Sequence, residues 1–179
     1  MPEWNNLIEK CVHKPSYELM AMAYSDYKVD SAPCKRGAKN QCAIRMSVAL
    51  GRCGFDLLGF PKRKRVHTLF DKCKVPVEHV LGARELAKYL QQCWGTPEIY
   101  KGKKGHAAAE TLKGRTGIIY FDNCFQREPG EAKSGDHIDL WDGGKYYNIV
   151  IKVGAGGDAT PDTPLFAESE EVWFFPLAA

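Results

Sequence analysis

The chain has 179 residues, 44% of them apolar and 26% charged, which is the balance of one ordinary folded domain and excludes a disordered one. A formal net charge of +3 is too mild to mark a nucleic-acid binder, and there is no apolar run of the roughly 18 residues needed to span a membrane. We expect a single domain over residues 1–179, with neither nucleic-acid binding nor membrane insertion.

The start, Met1-Pro2-Glu3-Trp4-Asn5-Asn6, lacks the basic and apolar regions of a Sec signal. The expectation is synthesis in the cytoplasm, followed either by retention or by export along a route that ignores such signals. Residues 2–13 carry Trp4, Leu7, Ile8, Cys11 and Val12 at helical spacing, closed by Pro15. A second short helix is predicted over residues 16–24 with Ser16 as its cap. Residues 25–39 are polar and basic and read as a loop with a solvated surface, bordering at most a cleft for an acidic substrate.

The pattern then turns apolar and helical in Asn40-Gln41-Cys42-Ala43-Ile44-Arg45-Met46-Ser47-Val48-Ala49-Leu50-Gly51-Arg52-Cys53-Gly54. Asn40 is the expected N-cap, and Gly51 or Gly54 the stop. Cys42 therefore falls in the first turn, where free N–H groups and the positive end of the helix dipole stabilise a thiolate. The same N–H groups could hold an oxyanion. Taken alone, a cysteine among Ala, Ile, Met and Val reads as a small buried hydrophobe, so a second signal is needed.

Seven cysteines, at 11, 34, 42, 53, 73, 93 and 124, are many for a reduced domain. The odd number fits three disulfides and one free thiol, with fewer or none also open. No C-x-x-C pair occurs and the histidines lack zinc-finger spacing, which speaks against a structural metal.

Pro61-Lys62-Arg63-Lys64-Arg65 resembles a localisation or phosphate-binding patch, but no aromatic residues are interleaved for base stacking. A helix is predicted over residues 82–93, ended by Gly95-Thr96-Pro97, and residues 101–115 read as a loop with a short helix. From Gly117 the period changes. Residues 117–121 form a short strand, residues 122–135 a loop, and His137-Ile138-Asp139-Leu140-Trp141 a strand that turns at Asp142-Gly143-Gly144-Lys145 into residues 146–151. Residues 154–164 read as a surface loop and residues 172–175 as a last strand. Helices first and an antiparallel sheet after them give the α+β class.

In that expected hairpin Trp141 pairs with Tyr146 and Asp139 with Asn148. The period of two then puts His137, Asp139 and Asn148 on one face, and Ile138 and Leu140 on the other. A nucleophilic thiol needs an imidazole to take its proton, and the imidazole needs a polar group to orient it. Cys42 supplies the first, His137 the second, and Asn148 or Asp139 the third. A helix-start Cys followed by a strand His is the papain-type order.

At these residues the sequence resembles a known family. Gln41-Cys42-Ala43-Ile44-Arg45-Met46-Ser47 with Ala49-Leu50, then Gly117-Ile118-Ile119, then His137-Ile138-Asp139-Leu140-Trp141-Asp142-Gly143, are similar to the type VI secretion amidase effector 4 family. The resemblance runs from about Trp4 to Trp173. It implies a papain-like cysteine peptidase fold with N-terminal helices packed on an antiparallel sheet. The implied activity is cleavage of peptidoglycan stem peptides at the D-glutamyl–meso-diaminopimelate bond. Cys42 matches the nucleophile and His137 the general base. Family members carry an Asp about eleven residues after the His where this chain has Asn148, so Asn148 is the expected orienting residue and Asp139 its substitute. The cysteine pair that some members carry after the His strand is missing.

On this reading the backbone of Cys42 and Gln41 holds the oxyanion and Arg45 meets a substrate carboxylate, with no metal and no organic cofactor. The resemblance also implies a cognate immunity protein, and delivery by the secretion machinery into the periplasm of a target bacterium. The competing expectations are a basic adaptor acting through residues 61–65 and a non-catalytic, disulfide-rich binding protein.

Overall fold

The computed structural model describes residues 13–25, 40–57, 59–60, 65–66, 79–144, 151–153, 157–159 and 165–179. The expected first helix, most of the loop before Asn40, the basic run up to Lys64, and residues 145–150 with Asn148 lie outside the described residues. In chain order the helices are α1 (Tyr17–Ser25), α2 (Cys42–Arg52), α3 (Ala83–Trp94), α4 (Lys103–Thr111) and α5 (Leu165–Glu168). The strands are β1 (Arg65–Val66), β2 (His79–Val80), β3 (Glu98–Lys101), β4 (Gly117–Gln126), β5 (Lys133–Trp141), β6 (Ile151–Val153), β7 (Gly157–Ala159) and β8 (Glu171–Pro176).

Helix α1 begins as its sequence dictates. The Ser16 hydroxyl oxygen accepts the Leu19 N–H at 3.3 Å, the bond of an N-cap serine to the third helical residue. Helix α2 starts one residue later than expected: Gln41, not Asn40, occupies the cap position, and its side chain makes no capping bond. Cys42 is thus the first helical residue. At the other end Gly54 adopts φ +84°, the Gly54 N–H bonds to Gly51 O at 3.1 Å and the Phe55 N–H to Leu50 O at 2.9 Å. These are the two hydrogen bonds of a Schellman motif, with Phe55 and Leu50 in one apolar cluster as its usual hydrophobic contact. The stop signal is therefore Gly54. Ser47, buried mid-helix, is satisfied on both sides, donating to Ile44 O at 3.0 Å and accepting the Val80 N–H at 2.8 Å.

The main sheet is antiparallel, in the order β3-β8-β4-β5. Strand β8, late in the chain, lies inside it. Strand β3 was not expected. It is four residues long, and only Glu98 and Tyr100 turn inward, too short a pattern to separate from a loop. Strands β4 and β5 also run longer than predicted, so the supposed loop over residues 122–135 shrinks to residues 127–132. Its tip is a turn in which the Glu131 N–H bonds to Glu128 O at 3.3 Å across Pro129 and Gly130, the latter at φ +85°. Proline second and a positive-φ glycine third define a type II turn.

The hairpin that carries His137 is accordingly β4–β5, with Phe121 opposite His137 and Ile119 opposite Asp139. The predicted pairing of residues 137–141 with 146–151 is not the one described: residues 145–150 lie outside the described residues, and Ile151–Val153 pairs with Gly157–Ala159.

Both faces of the sheet are covered. On one, Ile118, Tyr120, Ile138, Leu140 and Phe175 pack with α1, α2 and α3 through Met20, Met46, Leu50, Leu86 and Leu90. On the other, Ile119, Phe121, Trp141, Val172 and Phe174 pack with Ala108 and Leu112 at α4 and with Leu165 of α5. The face that bears His137 and Asp139 is therefore as buried as its opposite, where a single apolar face was expected.

Candidate active site

Helix α2 and strand β5 bring Cys42 and His137 together from almost a hundred residues apart. The Cys42 sulfur lies 4.0 Å from the main-chain oxygen of Asp136, the residue before His137. Only 7% of Cys42 and 1% of His137 are exposed. The ring of His137 stacks on Phe121, its partner across the ladder, at 6.4 Å between centroids and 24° between planes. Asp139, two residues on and on the same face, receives the His137 Nε2–H on Oδ2 at 3.4 Å. Its other oxygen accepts the Leu140 N–H at 2.8 Å, so the carboxylate is itself held. The remaining nitrogen, Nδ1, is buried with no hydrogen-bond partner of standard geometry among the described residues. That leaves it as the ring atom free to serve the thiol.

Burial would raise the Cys42 pKa, but hydrogen bonding and charge from His137, with the N–H groups of Ile138 and Ala43, lower it below that of an ordinary thiol. Burial would likewise depress the imidazole. Hydrogen bonds to Asp139 and Cys42, and their charges, reverse this and push His137 up to about 9. The thiol gives up its proton more readily and the ring holds one more tightly, which is the condition for a thiolate–imidazolium pair near neutral pH. Ala43 supplies the helix-start N–H that the sequence pointed to. Ile138 on the facing strand supplies one that it did not.

Gln41 is buried immediately before the nucleophile position. Arg45 is 3% exposed and its charge acts on Tyr24, so it faces the interior and not an open cleft wall. Tyr24 of α1 is a neighbour that sequence reasoning missed. It is 1% exposed, and burial, then the charges of Asp139 and Cys42, hold its phenol well above the ordinary value. Cys124 on β4 is a second buried thiol within electrostatic reach of Cys42; burial first, then that neighbour, keep it protonated. No sequence signal sets either residue apart, because only the fold brings α1 and the middle of β4 to this point.

None of Cys42, Cys53, Cys93 and Cys124 is in a disulfide. Three disulfides are therefore ruled out, since the three remaining cysteines could form one bridge at most; they lie outside the described residues. Among the described residues no group of three or more His, Cys, Asp or Glu side chains is placed to hold a metal ion, and no helix is long and apolar enough to cross a membrane.

The same arrangement of helices and sheet recurs in solved structures. The effector Tae4 from Salmonella typhimurium, in complex with the immunity protein Tai4 from Enterobacter cloacae, is 19% identical, with a TM-score of 0.60, 93% of this chain and 100% of that chain being covered. Tae4 from Enterobacter cloacae is 17% identical with a TM-score of 0.61, over 92% of this chain and 98% of that one. These likenesses establish the α+β fold expected from the sequence, with helices packed on an antiparallel sheet. No curated protein sequence matches significantly. The family model of the type VI secretion system amidase effector protein 4 matches residues 38–175, from just before Cys42 to the last strand. On that match, spanning most of the sequence, the chain belongs to the Tae4 family of type VI secretion amidase effectors.

Proposed function

We propose that this chain, acting as a single domain, is an antibacterial cysteine peptidase that hydrolyses peptidoglycan stem peptides at the D-glutamyl–meso-diaminopimelate amide bond. The observation that carries the reading is the buried pairing of a free cysteine at a helix start with a histidine whose other nitrogen is bonded to a carboxylate. The Cys42 thiolate attacks the amide carbon, and N–H groups at the start of α2, those of Gln41 and Cys42 among them, receive the oxyanion. Imidazolium His137 protonates the leaving amine, and water then hydrolyses the thioester with His137 as base.

Asp139 holds the ring during these transfers and favours its charged form. Asn148, the other orienting residue expected from the sequence, lies outside the described residues. Arg45, buried as it is, supports the helix more readily than it meets substrate. The chemistry needs no metal and no organic cofactor.

Family membership supports delivery by the secretion machinery into the periplasm of a target bacterium, where the wall substrate lies. Solved Tae4 structures from Salmonella typhimurium hold the immunity protein Tai4, which supports a cognate immunity partner here.

The test is digestion of purified diaminopimelate-type sacculi with mass analysis of the released fragments. Wild-type protein is expected to release stems cut after D-glutamate, whereas Cys42→Ala and His137→Ala are expected to lose at least about a thousandfold in rate. Wild-type protein that leaves such walls intact would overturn the assignment.

A further inference from the structure

Residue Asp136 joins the site to a polar network that the reaction itself does not use. Between the pairs Phe121–His137 and Phe125–Gly135 the β4–β5 ladder loses its register, with Asp122, Asn123 and Cys124 on β4 facing the lone Asp136 on β5. Such an irregularity bends a strand and re-aims the neighbouring side chains. Asn123 adopts φ +48° there, the single non-glycine residue with positive φ among the described residues.

Its N–H bonds to Asp136 Oδ1 at 3.1 Å. Arg84, in the first turn of α3, reaches across to this irregularity. Its Nη2 donates to Asp136 Oδ1 at 2.9 Å and to Asn123 Oδ1 at 2.7 Å, and lies 2.9 Å from Asp122 Oδ1 as an ion pair. Its Nε–H reaches the Tyr120 hydroxyl at 3.4 Å, and that hydroxyl donates to Asp122 Oδ1 at 2.7 Å. The Asp136 carboxylate is mostly shielded, with 9% of its side chain exposed, and this guanidinium is its ion-pair partner.

We infer that Arg84 and Asp136 are positioning residues: together they lock the bulge so that the main chain at residue 136 presents the His137 ring to the Cys42 sulfur. Neither touches the reacting atoms; they act through His137. The inference rests on the proposed Cys42–His137 pair, so its test reads that pair directly and needs no cell-wall substrate. With Arg84 removed, Asp136 loses its ion-pair partner, the left-handed Asn123 loses its tie to α3, and β5 is free to relax by the fraction of an ångström that proton transfer does not tolerate.

The experiment follows iodoacetamide alkylation of Cys42, peptide by peptide, across about pH 5 to 10. In the wild-type chain reactivity is expected to persist well below the range of an ordinary thiol, and His137→Ala is expected to abolish that acidic plateau. Arg84→Gln and Asp136→Asn are expected to lose it too, their Cys42 reactivity falling about tenfold to a hundredfold on the acid side. Arg84→Lys, which keeps the charge but not the fork, should retain part of it.

Circular dichroism identifies folded variants, and either Arg84→Gln or Asp136→Asn suffices if the other is unfolded. A folded variant with a wild-type profile overturns the positioning role while leaving the catalytic pair intact. A wild-type profile in His137→Ala overturns the pair, and the inference with it.

Discussion

Cys42 combines two properties that oppose each other, burial and a lowered pKa. Desolvation drives a thiol toward its neutral form, as it does at Cys124 and at Cys53. At Cys42 the imidazole and two backbone N–H groups outweigh it. The pH dependence of hydrolysis follows with a definite sign. Activity is expected to fall on the acid side as the thiolate is protonated, below the range of an ordinary thiol. On the alkaline side it falls as the imidazolium loses its proton at about 9. Replacing Asp139 by Asn removes the carboxylate that favours the charged ring, so the alkaline limb should move to lower pH, which a kcat/KM profile reads directly. At this scale residue type and position in the elements singled out Cys42, His137 and Asp139, which the fold brings together, while Asn148, the preferred orienting residue, lies outside the described residues. Tyr24 and Cys124 were not singled out, since their role comes solely from what surrounds them.

Elements were legible where they carry punctuation. Ser16 starts α1, Gly54 ends α2 and Gly95 closes α3 with φ +87°, all where turn chemistry put them. Gly54 has open space where a Cβ would stand, so Gly54→Ala tests the backbone alone. It is expected to cost about 1 kcal/mol, seen as a lower denaturant midpoint at unchanged slope. Gly135 is the opposite case: a Cβ there would run into the Phe125 ring. Gly135→Val is expected to destabilise by about 1–3 kcal/mol and, two residues from His137, to lower kcat as well. Asp122 and Asn123 read as loop residues because polar types with a positive φ do not look like strand. The strand continues through them because Cys124 and Phe125 beyond are buried and Phe125 rejoins the ladder opposite Gly135.

For the whole molecule, the order of helices before sheet was enough to give the class, but not the order of the strands. Neighbours distant in the chain, such as β8 between β3 and β4, leave no periodic mark on the sequence. Two separate apolar clusters hold the sheet, and truncation in either should be felt globally. Leu86→Ala, fully buried against the α2 side, is expected to cost about 2–5 kcal/mol, and Phe174→Ala on the α4 side about 3–5 kcal/mol, both measured by equilibrium unfolding.

The interior place of β8 also has a bearing on timing. A ribosome delivers the β4–β5 hairpin well before it delivers the strand that β4 must hydrogen-bond on its other edge, and β3 waits for the same strand. Until then the α4 cluster lacks Val172 and Phe174, and the hairpin has no complete support on which to hold an imidazole against a sulfur. The Cys42–His137 pairing therefore gains its full structural support only once the last strand has left the ribosome.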